Sequence, residues 1–254
     1  PEEMAEMAEI RKTTISEKLG VPVERVRTVT HEDCHTFYSY FGSPFRGDVL
    51  ALTAEGIGDY SNGTVSLFNE RGREEIARTK ENHLGHIYQY ITLLLGMKPA
   101  QHEYKLMGLA PYANIKELEK SYKVFEKILK VDGLNIVFDQ RPRDLYFHFR
   151  DALEGHRFDG IAGAIQRYVE EILCQWVKNC VTATGRGKIC FAGGVAQNIK
   201  ACKAIAALEE VADLYVCPVA GDASLPLGAC YLAMWEACLR DSLSVNTIKE
   251  LDNI

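Results

Sequence analysis

His31 and His35, in the string His31-Glu32-Asp33-Cys34-His35, are the residues of this sequence best spaced for metal chemistry. Positions i and i+4 share one helix face, so both imidazoles can be presented to one point. The string also fits H-E-x-x-H, in which two histidines hold zinc and the glutamate is the base of a metalloprotease. Against that reading, Asp33 adds a second carboxylate inside the motif, and the pair falls at the start of a helix rather than in its middle. An unrelated pair of surface histidines is the bland alternative. The preferred reading is a metal site completed by carboxylates from elsewhere. Glu55 and Asp222, each beside a glycine at an expected strand end, are the natural candidates. Mixed nitrogen and oxygen ligation suits iron, manganese or zinc.

A second feature is a pair of glycine turns. Lys188-Ile189-Cys190-Phe191-Ala192 runs into Gly193-Gly194-Val195-Ala196-Gln197-Asn198, and Leu214-Tyr215-Val216-Cys217-Pro218 runs into Ala220-Gly221-Asp222-Ala223. A strand that stops at glycine and restarts as a helix leaves unpaired backbone N–H groups, a corner that admits a phosphate, a ribose edge or an adenine plane. Each turn alone could be only a tight turn. Two of them, at the carboxyl ends of strands, can build one nucleotide cleft.

These residues need elements to hold them. Residues 2–19 read as a loosely amphipathic helix stopped by Gly20, and Val23 to Thr30 alternates as a short strand does. Asp48 to Ala54 is a compact apolar strand. Thr64 to Phe68 and Glu75 to Thr79, joined by Asn69-Glu70-Arg71-Gly72, predict a hairpin. Leu84 to Leu95 predicts an apolar helix ended by Gly96. Ile115, Leu118, Tyr122, Phe125 and Leu129 form a helical stripe, and Leu134 to Phe138 with Leu145 to Phe149 suggest a peripheral hairpin. The strongest helix covers 160–183, followed by strand, glycine corner, helix, strand, glycine corner and a last helix to about Leu239.

At 254 residues, 47% of them hydrophobic, the chain can bury a substantial core. A net charge of −6 argues against a nucleic-acid surface. The basic stretch Lys116 to Lys130 alternates with glutamates as a solvated helix face does. Eight cysteines contain no C-x-x-C pair and several lie in apolar runs, which fits buried thiols in a reducing compartment. With no signal peptide and no run of membrane-spanning length, the expectation is a cytoplasmic protein without a membrane or nucleic-acid partner.

Taken in chain order, His31-x-x-x-His35, Asp48 to Asp59, His83-Leu84-Gly85 with Tyr88, the string Glu103-Tyr104-Lys105-Leu106-Met107-Gly108-Leu109-Ala110-Pro111-Tyr112, Gly193 to Asn198 and Gly221-Asp222-Ala223 resemble carbamoyltransferases of the nodulation and antibiotic-tailoring type. The resemblance runs through nearly all of residues 25–235. It implies an α/β fold of the ribonuclease H-like kind shared by actin, Hsp70 and sugar kinases, with a mixed five-stranded sheet flanked by helices. Residues 1–46 would end a first half-domain. Residues 47–240 would form the second, with inserted helices and a hairpin around 114–150, and 241–254 a tail.

The resemblance also implies the chemistry. Carbamoyl phosphate and ATP give carbamoyl-adenylate, and the carbamoyl group passes to a hydroxyl of a small molecule. By position, His31, His35, Glu55 and Asp222 match metal ligands, with Glu55 where the family usually has aspartate. A catalytic part falls to His31 and His35 only through the metal. Gly193, Gly194, Asn198 and Gly221 match adenosine-binding turns, and Gly56 and Gly58 are grouped with the same cofactor pocket. Glu103 and Lys105 match the signature beside it, Lys105 either meeting phosphate or pairing with Glu103.

The chain departs from the family in three ways. Glu32 breaks the family's doubled histidine. Nothing before His31 resembles the family's opening strand–turn–strand, and the adenylate-forming second domain is not reached. Pro1-Glu2-Glu3 also lacks an initiator methionine. These suggest a chain processed or cut from something longer, its apolar surface covered by a second copy or by the missing domains. A truncated non-catalytic nucleotide-binding module, a tRNA threonylcarbamoyl-type transferase and a kinase-like phosphotransferase are the competing readings. The acidic balance weighs against tRNA.

Overall fold

The computed structural model describes residues 2–69, 72–244 and 246–250. Glu70 and Arg71 of the expected hairpin turn, Pro1, and residues 245 and 251–254 of the expected tail lie outside the described residues. The chain divides into two compact units between Thr30 and His31. In the first, α1 (Glu2–Leu19) ends at Gly20. The strand expected over Val23 to Thr30 does not form; Val23–Arg25 is a single 3-10 turn that buries no residue. Alternation makes a strand only where a partner strand is available, and among the described residues this segment has none.

The second unit opens with α2 (His31–Phe41), then the strands β1 (Val49–Ala54), β2 (Gly63–Asn69) and β3 (Gly72–Thr79). Helices α3 (Leu84–Leu94), α4 (Glu103–Leu109) and α5 (Ile115–Tyr122) follow, then a hairpin of β4 (Leu129–Asp132) and β5 (Asn135–Phe138). After α6 (Leu145–Ala152) and the long α7 (Phe158–Thr184) come β6 (Lys188–Ala192), α8 (Ile199–Ala206), β7 (Asp213–Val216), α9 (Leu225–Arg240) and α10 (Asn246–Glu250).

The main sheet has five strands in the order β3-β2-β1-β6-β7. The β1–β2 and β2–β3 pairs are antiparallel, whereas β1–β6 and β6–β7 are parallel. This is the mixed five-stranded sheet, flanked by helices, of the ribonuclease H-like fold. Central β1 is buried along its whole length, which fits its unbroken apolar run. Leu50, Leu52 and Ala54 share a core with Ile165, Val169, Leu173 and Trp176 of α7. On the other face, Thr53 and Thr64 share a hydrogen bond of 2.6 Å beneath α2, where Tyr38 packs with Ala192 and Cys217. Helices α2 and α9 approach so closely that a Cβ on Gly228 would lie 1.9 Å from the Cys34 carbonyl oxygen. All eight cysteines are unpaired. Among the described residues, no helix is long and apolar enough to cross a membrane.

Two further expectations are corrected. The stripe from Ile115 to Leu129 is not one helix: α5 stops at Tyr122, and Leu129 opens β4. Phe125 reaches full burial from a turn, stacked on Phe149 at 5.2 Å. Apolar spacing alone cannot separate that from a continuing helix. The peripheral hairpin pairs β4 with β5 across Gly133, not residues 134–138 with 145–149. Residues 145–152 are helical because Asp144 caps them, its Oδ1 accepting from the Phe147 N–H at 2.9 Å.

Candidate functional site

Three strand ends meet at the carboxyl edge of the sheet, where ligands of α/β proteins bind. Glu55 directly follows β1, Gly193 follows β6, and Gly221 and Asp222 lie beyond β7. The Gly193 N–H donates to the Ala220 carbonyl at 2.8 Å, so the two glycine corners are joined. Gly193 has φ +99°, and a Cβ there would lie 2.4 Å from Ala54 O and 2.6 Å from Glu55 Oε1. Glycine is required because the β6 corner passes directly over the end of β1.

The first turn of α2 brings His31 and His35 to the same edge, their Nε2 atoms 3.2 Å apart. Glu55 Oε1 lies 2.8 Å from His35 Nε2 and 3.8 Å from His31 Nε2. Asp222 Oδ1 lies 3.5 Å from His31 Nε2 and 3.6 Å from His35 Nε2. One ligand atom from each of the four residues falls within 4.8 Å of the others. His35 is fully buried, which removes the surface-pair reading. Asp222 is the exposed member, at the mouth.

These residues fit a cation. Around a first-row ion with bonds of about 2.0–2.2 Å, neighbouring donors lie about 3 Å apart. Glu55 Oε1 is buried and, despite its closeness to His35, lies off any hydrogen-bond direction and has no hydrogen-bond partner. A buried carboxylate oxygen left in that state is costly, and a cation would satisfy it. Burial disfavours ionisation of Glu55, but the contacts to His31 and His35 and the Gly194 N–H outweigh it, holding the carboxyl below its ordinary range. The Glu55 contact, opposed by burial and aided by the charges of Asp222 and Asp59, raises the pKa of His31. His35 Nδ1 faces the interior without a partner, so packing rather than an outer carboxylate orients that ring.

A cleft of about 500 Å³ extends from this cluster. Gly56, Gly194, Asn198, Gly221 and Glu103 line it; Gly58, Gly193 and Lys105 do not. Gly58 lies in the following loop against Ser61. Lys105 is exposed, its Nζ 5.8 Å from the centre of the Tyr104 ring, while the Glu103 carboxylate accepts the Ala100 N–H at 2.6 Å. Asn198 caps α8, accepting from the Ala201 N–H, and exchanges two hydrogen bonds with Gln166. Gln166 also accepts from the Tyr88 hydroxyl at 2.8 Å. Burial, with the charges of Glu103 and Glu170, pushes the Tyr88 phenol up, so it stays protonated and donates.

Sequence reasoning missed Gln166, Gln89 and Gln197 at this site. The signal for Gln166 was a lone amide beside the apolar stripe of α7, buried in the structure. Gln89 and Gln197 line the cleft and gave no comparable signal. Glu32 does not behave as a protease base. It is buried, and its Oε1 accepts from the backbone N–H groups of Tyr60 and Ser61 at 2.7 and 2.5 Å.

Comparison with known proteins places this geometry in context. Residues 7–231 match the family model described as Carbamoyltransferase N-terminus. The nodulation protein NolNO of Sinorhizobium fredii is 26% identical over 222 residues, 85% of this chain and 32% of that protein. An uncharacterised protein of Synechocystis is 28% identical over 236 residues, 85% of this chain and 37% of its own length. The chain therefore spans about a third of the curated relatives it matches. Among solved structures, T. kodakarensis HypF aligns with a TM-score of 0.49 at 14% identity, over 87% of this chain and 38% of that one.

Proposed function

The chain belongs to the carbamoyltransferase N-terminal family, and from that premise we propose that it is the metal- and nucleotide-binding domain of an ATP-dependent O-carbamoyltransferase. In this reading carbamoyl phosphate, ATP and water give carbamoyl-adenylate with release of phosphate and pyrophosphate, and the carbamoyl group then moves to a hydroxyl of a small molecule. The new C–O bond forms at the carbamoyl carbon as its bond to AMP breaks, and the hydroxyl proton departs to solvent or a nearby base. The observation that carries the proposal is the convergence of His31, His35, Glu55 and Asp222 at one end of a cleft that the two glycine corners, next to Glu55 and Asp222, also line.

The chain's own residues divide the work. His31, His35, Glu55 and Asp222 would hold a divalent cation, which when bound supplies Lewis-acid polarisation of phosphate and carbonyl oxygens. The Gly194 and Gly221 turns let backbone approach a ligand closely, where a side chain would intrude. Tyr88, Gln166 and Asn198 hold one another in a buried network that fixes the cleft wall without ionising. Among the described residues lining the cleft, the charged ones are Glu55, Glu103 and Asp222, with no lysine or arginine. Such a lining accepts an uncharged nucleoside and repels bare phosphate, so the cation must offset the phosphate charge.

Equilibrium dialysis with ATP and Mn2+ tests the cleft. Gly194→Val adds bulk next to Glu55 Oε2, which a Cβ would meet at 3.0 Å. The variant is expected to lose ATP while keeping the parent's circular dichroism; parent-like binding would move the site elsewhere. Transfer itself is read in a protein that also carries the adenylate-forming domain, as label passing from carbamoyl phosphate to a hydroxyl acceptor only when ATP is supplied. Label transfer that ignores ATP would replace the adenylate route.

A further inference from the structure

The chemistry above uses neither carboxylate of the histidine motif: Asp33 pairs with Arg73 Nη1 at 2.6 Å, which leaves Glu32 to be explained. Glu32 is only 1% exposed, on the helix turn between His31 and His35. A buried charge is costly unless it is well partnered. Four donors meet at its Oε1: the backbone N–H groups of Tyr60 (2.7 Å) and Ser61 (2.5 Å), the Ser61 hydroxyl (3.0 Å) and Arg78 Nη1 (3.3 Å). Those amides belong to the loop that leaves β1, and that loop begins with Glu55.

The same loop returns a second contact to the helix. Asp59 Oδ2 accepts the His31 backbone N–H at 2.8 Å. The loop is closed at its base by the Glu55 N–H donating to Asn62 O at 2.9 Å. Helix α2 and the Glu55–Ser61 segment are therefore tied at two places, at the His31 backbone and at the Glu32 side chain. We propose that Glu32 is a positioning residue for the metal site, a latch that fixes the Glu55 loop against the helix carrying His31 and His35. The proposal rests on the metal reading of the four-residue cluster.

Its physical content is outer-shell positioning. A carboxylate donor at the start of a loop and an imidazole on a helix keep their mutual distance only if loop and helix move together. Loss of such partners typically weakens metal binding about 10–100-fold. Glu32→Ala removes the acceptor. Glu32→Gln keeps an oxygen for the two backbone amides, gives up the charge facing Arg78, and puts an amide NH2 in place of the buried, unpartnered Oε2.

The test uses the full chain with Zn2+ alone as probe, titrated against a chromogenic chelator, and hydrogen exchange of the metal-free protein. Glu32→Ala is expected to weaken Zn2+ binding about 10–100-fold and to speed exchange at the Tyr60 and Ser61 amides. Glu32→Gln should restore both readouts most of the way. A control of equal thermal loss, Phe149→Leu in the core on the opposite face of the sheet, should leave Zn2+ affinity as in the parent. If Glu32→Ala weakens binding no more than that control, the latch is overturned. If Glu32→Gln falls as far as Glu32→Ala with unchanged Tyr60 and Ser61 exchange, the carboxylate acts by its charge and positioning is overturned. A parent that takes up no Zn2+ overturns the metal reading itself, an outcome visible before any variant is made.

Discussion

The Gly193 amide donates to the carbonyl oxygen of Ala220 at 2.8 Å, which makes one structure of two glycine turns far apart in the chain. Parallel pairing places the ends of β1, β6 and β7 along one edge, and this bond, with Gly193 lying over Ala54 and Glu55, ties together the turns that follow them. The bond holds the turn that carries the exposed Asp222 next to the β6 corner.

Replacing both His31 and His35 with alanine is expected to remove stoichiometric divalent metal, measured by elemental analysis of the purified chain. His35 is buried, so the double variant should also lose about 1–3 kcal/mol of stability. Unchanged metal content would end the metal-site reading.

The acidic lining of the cleft predicts a difference between ligands. Adenosine should bind with or without divalent metal. ATP should bind only when metal is present, because Glu55, Glu103 and Asp222 otherwise face its phosphates unscreened. Calorimetric titrations with and without chelator check this, and metal-independent ATP binding would contradict it.

Gly193→Ala should be the most damaging single change at the site. With φ +99° and ψ 167°, the residue occupies a region that is essentially glycine-only. An added Cβ would also press on Ala54 O at 2.4 Å. A loss of about 3 kcal/mol or more in urea unfolding is expected. A loss below about 1 kcal/mol would mean that the corner relaxes freely.

Stability should also fall on acidification through His83. Burial, the neighbouring His86 and Arg141 push its pKa down to about 4, against the opposing charge of Glu81. Burial lowers His86 as well, and the two Nδ1 atoms are 3.2 Å apart. Unfolding releases His83 to an ordinary value of about 6.5, so the unfolded chain binds more protons between the two values. Its contribution is complete above about pH 6.5 and is lost as pH falls toward about 4. His83→Gln should therefore reduce the drop in urea midpoint between neutral pH and about pH 4.5. An undiminished drop would assign the acid sensitivity to other groups.

Much of the site was legible before any fold was known, because its signals are local. A one-turn histidine spacing puts His31 and His35 on one helix face whatever the rest of the chain does. A glycine directly after an apolar run marks a corner at Gly193 and again at Gly221. The long helix α7 and strands β1 and β6 were equally clear, since burial on one or both faces writes itself into apolar periodicity.

Tertiary structure decided what those local features become. Only sheet order carries Glu55 and Asp222 to the histidines, since β1 and β6 are neighbours through long-range pairing that no window of sequence contains. The role of Glu32 was hidden for the same reason: its partners, the Tyr60 and Ser61 amides, arrive from a distant loop. Between Tyr122 and Leu129 helical spacing misled, because Phe125 is buried from a turn as completely as a helix would bury it. Periodicity reports which side of a segment is covered. What covers it, and in which backbone shape, is settled by the elements packed against it.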